Sequence, residues 1–242
     1  MFAGHYGASY ALRTVEKRAS LGLLFLAVQF IDVLWAIFVL LGIEKVQLAP
    51  QLPASRLMYN FIPFTHSLLG VLCWSVLVYG VFRFIPTSKG ARRSAIALVM
   101  ALGVFSHWIL DFFVHRPDLG LIGEIEKVGL GLYNYPVLAF SLEAVVLLGG
   151  LWFYMRSTTG TTLVGKYGMY IFAAFLLLMN AFTYWGPNPP SVQIAAVFNE
   201  VFYFVAAAIA VWLDRKRSPR VQTDAALALQ VSAEGAPAEA VR

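Results

Sequence analysis

The sequence is short of charge. Asp, Glu, Lys and Arg make up 13% of its 242 residues, where soluble chains carry about 25%. So little polar side chain cannot cover a water-facing surface, which excludes an ordinary soluble domain, a disordered chain and a basic nucleic-acid-binding domain. Cysteine is nearly absent. The single Cys73 lies inside an apolar run, so there is no intrachain disulfide to form and a disulfide scaffold is excluded. Histidine is scarce too, with four residues. What is abundant is apolar: 60% of residues are hydrophobic and the mean hydropathy is +0.72.

A chain of this composition is expected to be an all-α, polytopic membrane helical bundle. A span needs about 20 apolar residues, and six runs approach or meet that length: Leu21–Leu41, His66–Phe84, Ser94–Val114, Tyr135–Met155, Gly168–Trp185 and Val192–Leu213. Charged or Pro/Gly-rich joints separate them, such as "PTSKGARR" and "GPNPPS". Transmembrane barrels would need shorter, alternating segments. The expected organisation is an N-terminal leader over 1–20, re-entrant or amphipathic, then a six-helix transmembrane domain over 21–213. An Ala-rich cytoplasmic tail over 214–242, without a sustained apolar face, is expected to be disordered. The charges Arg13, Glu16, Lys17 and Arg18 follow a mildly apolar start and no cleavage site follows, so a signal peptide is not expected.

Lys and Arg set the expected orientation. With the N-terminus inside, the inner joints hold Arg13, Lys17, Arg18, Arg83, Lys89, Arg92, Arg93, Arg156, Lys166, Arg215, Lys216, Arg217 and Arg220. The outer joints hold Lys45, Arg56, Arg116 and Lys127. Thirteen against four, with Arg242 uncounted, predicts a multi-pass protein with both termini cytoplasmic. The net charge of +5 is then topology, and the partners expected are membrane lipids rather than nucleic acid. Nothing in the sequence signals an oligomeric state.

Ionisable groups at membrane depth are costly and mark sites. The third run reads "VFSHWILDFFVHRPDLG", which puts His107, Asp111 and His115 at i, i+4 and i+8 on one helical face. Two nitrogen ligands flanking an oxygen ligand suit zinc or a similar cation. Asp32 lies near the middle of the first run and His66 opens the second. Glu143 and Glu200 sit eight or nine residues inside their spans, roughly 12–14 Å at the helical rise, with the amides Asn180 and Asn199 nearby. Five spans thus place polar groups at one depth. The plainer alternatives are interhelical hydrogen bonding for Glu143 and Glu200, and an ordinary interface residue for His115.

The ordered set "GHYGA", an Asp in the first span, "THS" opening the second and "SHWILDFF" in the third resembles the bacterial LexA-regulated inner-membrane family of metal-dependent hydrolases, over about residues 1–120. That family is distantly related to zinc-dependent phospholipase C and the single-strand-specific nucleases. The resemblance implies a bacterial inner-membrane location and a metal site of Asp32, His66, His107 and Asp111. It makes Asp111 a candidate bridge to a second ion, and His5 the match to the family's N-terminal histidine. The family's aspartate motif is an Asp-x-Asp-His run after a proline, whereas "FIDVLW" has one acidic residue and no histidine. Either residues 2–12 fold back into the membrane as a short helix, or His5 is not a ligand.

These residues support a metal-dependent hydrolase acting on a lipid-like ester or phosphoester near the outer leaflet. One or two divalent ions, zinc by ligand type, are expected at Asp32, His66, His107, Asp111, His115 and His5. Glu143 and Glu200 are the candidate acid–base groups, and Arg116, beside His115, is the candidate holder of a phosphate headgroup. An ion- or proton-coupled permease built on the same cluster is the alternative, although no internal repeat is visible. A scaffold with a closed structural metal site is the third.

Overall fold

A computed structural model describes residues 1–84 and 93–220. Lys89 and Arg92 of the inner joint, and the tail from 221 to 242, lie outside the described residues. Eight helices carry the fold in the order α1 (Ala3–Val15), α2 (Leu21–Val28), α3 (Phe30–Leu40), α4 (Leu68–Phe84), α5 (Arg93–Val114), α6 (Pro136–Ser157), α7 (Leu163–Trp185) and α8 (Val192–Asp214). Their ends follow local chemistry. Thr162 and Ser191 accept from the backbone N–H of Gly165 and Ile194 at 3.1 Å each, capping α7 and α8. Pro136 occupies the first turn of α6, where its missing N–H costs nothing.

Helices α5 to α8, of 22 or 23 residues, are long and apolar enough to cross a membrane. At 1.5 Å per residue they reach about 33 Å, against a hydrocarbon core of about 30 Å. Their outward faces carry Val145, Leu178 and Val201 at 68%, 66% and 58% exposure. Such a surface is stable against lipid and not against water. The chain is a membrane protein.

The count of spans differs from the six expected. The first run, Leu21–Leu41, is broken at Gln29 into α2 and α3, bent by 52°, and counts as one further crossing only if the pair is taken together. The second run loses its first residues to a loop. His66 is fixed there by its neighbours, so the helix starts at Leu68 and has 17 residues, too short to qualify. The described residues therefore hold four spanning helices, or five with the bent pair, not six. The fold is otherwise helical as expected, apart from three two-stranded ribbons. These are β1 (Lys45–Leu48) with β2 (Leu57–Phe61), β3 (Leu119–Ile122) with β4 (Ile125–Val128), and β5 (Thr158–Thr159) with β6 (Ser218–Pro219). The last pairs residues 218–219 of the expected tail with the end of α6.

Residues 3–15 form a core helix, α1, with Ala3, Tyr6 and Tyr10 wholly buried. Tyr6 stacks on Phe25 of α2 at 4.5 Å, and Tyr10 lies 5.4 Å from Tyr154 of α6. At its far end Arg13 pairs with Asp214 at 3.2 Å, beside the C-terminus of α8. Helix α1 therefore runs from the middle of the bundle to the end opposite the β1–β2 and β3–β4 hairpins, and its N-terminal residues are buried inside the bundle.

Candidate metal centre

Three helices and two loop residues bring the polar residues together. Helix α5 supplies His107 and Asp111, with His115 on the same side just past its last residue, α3 supplies Asp32, α1 supplies His5, and the loop before α4 supplies His66. Asp111 is the hub, at 1% exposure. Its Oδ2 faces His107 Nε2 at 3.2 Å, His115 Nε2 at 3.5 Å and His66 Nε2 at 3.8 Å. Its Oδ1 faces His5 Nε2 at 3.3 Å and takes an ion pair from the Met1 amine. Asp32 Oδ1 faces His66 Nε2 at 3.3 Å and His107 Nε2 at 3.6 Å. Two triads each place their ligand atoms within 4.8 Å of one another: His5, His107 and Asp111, and Asp32, His66 and His107.

The outer hydrogen bonds fix which nitrogen carries the proton. His107 Nδ1 lies 2.7 Å from the carbonyl of Val28, at the α2–α3 break, and a carbonyl only accepts. His115 Nδ1 lies 2.9 Å from the Asp118 carboxylate. His66 Nδ1 lies 2.8 Å from the Thr65 hydroxyl, whose own proton goes to Glu44 Oε2 at 2.7 Å. Glu44, 2% exposed, also accepts from the backbone N–H of Phe64 and Thr65. In each histidine Nδ1 is the donor to its outer partner, and Nε2 faces the carboxylates, the nitrogen a cation would take. An outward bond from the second ring nitrogen is also how metal-binding histidines are held. His5 stacks on His107 at 3.9 Å, and neither of its ring nitrogens has a hydrogen-bond partner among the described residues.

Beside this cluster lies a cavity of about 380 Å³. Asp32 forms part of its wall, and the Tyr203 hydroxyl, also in the wall, donates to Asp32 Oδ2 at 3.0 Å. Tyr59 and Tyr133, from β2 and the short helical turn Leu132–Asn134, line it as well. Burial pushes both phenols above their ordinary range and keeps them protonated.

Other expected site residues fall elsewhere. Glu143 reaches the cavity wall, but its Oε2 accepts from the backbone N–H of Phe2 and Gly4 at 2.7 and 3.1 Å, and its Oε1 from the Tyr184 hydroxyl at 2.9 Å. It satisfies the open N–H groups at the start of α1, a positioning part rather than that of a free acid–base group. Glu200 is half-buried on α8 and is not in the cavity wall, although its neighbour Asn199 is. Asn180 is buried on α7, also outside that wall. Arg116 gives its guanidinium to Asn134 Oδ1 at 2.8 Å and to the carbonyl of Ala54 at 2.8 Å, clasping two loops together. The cation that does line the cavity is Arg56, which the sequence offered only as one of four outer basic residues. Glu44, Thr65 and Asp118 were missed as orienting groups; the "THS" motif and the i+3 spacing from His115 were the signals present.

No family model, no curated protein and no solved structure matches the chain.

Proposed function

We propose that this chain is an integral-membrane, metal-dependent hydrolase acting on a lipid-like ester or phosphoester at the membrane face that carries the two hairpins. One observation carries the reading: three histidines with Nδ1 bonded outward direct Nε2 at Asp32 and Asp111 beside a cavity. Asp32, His66, His107 and Asp111 would hold a divalent cation, zinc by the mixture of nitrogen and oxygen donors. His5 and His115, on opposite oxygens of Asp111, extend the donor set to a second ion. A bound cation of this kind polarises a carbonyl or phosphoryl oxygen and stabilises charge developing on it.

The chain's own residues do the rest. Tyr203 holds Asp32 through its second oxygen, so the carboxylate keeps Oδ1 toward His66 and His107. Tyr59 and Tyr133 close the site with protonated phenols, and Glu143 keeps α1, and so His5, in register. By the charge rule this face is the outer one, and the opposite end, with Arg13 of α1 and Asp214 at the end of α8, is cytoplasmic, in a bacterial inner membrane.

Elemental mass spectrometry of the purified chain tests the reading. One or two equivalents of a transition metal are expected, lost in the His107→Ala/Asp111→Ala double variant. A correctly folded chain that takes up no zinc or manganese overturns it.

A further inference from the structure

The cavity has a chemistry beyond its metal-facing corner. Its lining is mostly apolar, and Arg56 is the one basic side chain in it among the described residues. Both hydrogen bonds of Arg56 leave from Nη1, to the carbonyl of Gly186 at 2.8 Å and to Asn188 Oδ1 at 3.0 Å. The guanidinium is thereby seated on the α7–α8 loop while Nε and Nη2 have no hydrogen-bond partner among the described residues. Trp35, 3% exposed, lines the same space, and its indole N–H also lacks a partner. A buried donor left unpaired costs about 1–3 kcal/mol, which is the case for Trp35, while half-buried Arg56 has two further donor nitrogens to offer a ligand with acceptor oxygens.

Size and shape narrow that ligand further. About 380 Å³ is near the lower limit of small-molecule sites. It accommodates a small headgroup but not the chains of a lipid. The wall is shared with the membrane-facing side of α8 at Ile194 and Phe198, each 53% exposed. From there a shallow, almost wholly apolar groove continues over Val197 and Val201. Cavity and groove meet at Ile194 and Phe198, which line both.

We propose that cavity and groove together bind a membrane lipid with a small anionic phosphate headgroup. The phosphate sits in the cavity with Arg56 and the Trp35 N–H as donors, and a hydrocarbon chain leaves over Ile194 and Phe198 along α8. Arg56 reads the charge, since guanidinium and phosphate match in geometry and sign. This inference rests on the hydrolase reading only for the fate of the bound lipid, not for its binding.

Native mass spectrometry of the full chain in detergent, offered equal amounts of dioleoyl phosphatidate and dioleoyl phosphatidylcholine, tests the binding. Phosphatidate is expected to be retained in at least about tenfold preference, and Arg56→Ala to remove most of that preference, as loss of a charged hydrogen bond predicts. Arg56→Lys should keep part of it, and Trp35→Phe should weaken retention severalfold. Arg116→Ala, which loosens the same loops from outside the cavity, should leave the preference unchanged and so separates loop damage from loss of the charge reader. Equal retention of the two lipids, or an unchanged preference in Arg56→Ala, overturns the proposal. Competition by glycerol 3-phosphate as strong as by phosphatidate overturns its lipid part and assigns the site to a soluble phosphate ester. Metal measured on the same samples separates the two readings: metal without lipid preference defeats only this inference, and lipid preference without metal defeats only the hydrolase.

Discussion

A Cβ on Gly150 would stand 2.0 Å from the carbonyl oxygen of Gly7, because α1 and α6 touch backbone to backbone there. The converse holds as well, with a Cβ on Gly7 meeting the carbonyl oxygen of Val146 at 2.2 Å. Small residues of this kind let helices approach closely in lipid, where there is no hydrophobic drive to bring them together. The contact fixes the height of α1 in the bundle, and His5 lies two residues from it. Gly7→Ala should therefore destabilise the chain by about 1–3 kcal/mol through overpacking and lower metal occupancy as His5 shifts. Thermal unfolding in detergent and metal analysis check both; a variant with unchanged melting and metal would show that the contact does not set the site.

Thr65 is the link between Glu44 and His66. Thr65→Val keeps the shape but removes the hydroxyl that orients Nδ1 and leaves Glu44 Oε2 without that donor. Loss of such an outer partner is expected to weaken metal affinity by about 10–100-fold. Competition against a chelator of graded strength measures it, with affinity equal to wild type as the contrary result.

Glu143 separates a structural from a catalytic part. Glu143→Ala leaves two backbone N–H groups and the Tyr184 hydroxyl unpaired and should cost about 3 kcal/mol or more in stability. Glu143→Gln, which keeps an acceptor oxygen, should be milder and should retain metal. A Glu143→Gln chain with wild-type melting, normal metal content and no turnover would return Glu143 to acid–base chemistry.

Arg116 clasps the loop before β2 to the loop before α6 through Ala54 and Asn134. Arg116→Ala should lower the melting temperature by about 2–4 °C per kcal/mol lost and raise hydrogen exchange at residues 54–55 and 133–134. Unchanged exchange there, together with loss of phosphatidate binding, would restore Arg116 as a headgroup holder.

The sequence by itself determined the environment and much of the cluster. Charge scarcity and apolar runs of about 20 residues require helices in lipid, since lipid offers no partner for unpaired backbone groups. The helical period alone places His107, Asp111 and His115 on one face, and the structure has them there, with Nε2 atoms 3.2 and 3.5 Å from the shared carboxylate. What the tertiary structure decided is everything that depends on distance along the chain. The break at Gln29 has no Pro or Gly to announce it; it lies where the Val28 carbonyl accepts from His107, 79 residues away. Met1 to His5 reach the interior of the bundle because Glu143, about 140 residues on, accepts from the first N–H groups of α1, and because two glycines admit that helix to the core. Arg56 and Arg116 are equivalent as outer basic residues in sequence. Only the packing of their loops puts one in the cavity wall and spends the other on backbone carbonyls.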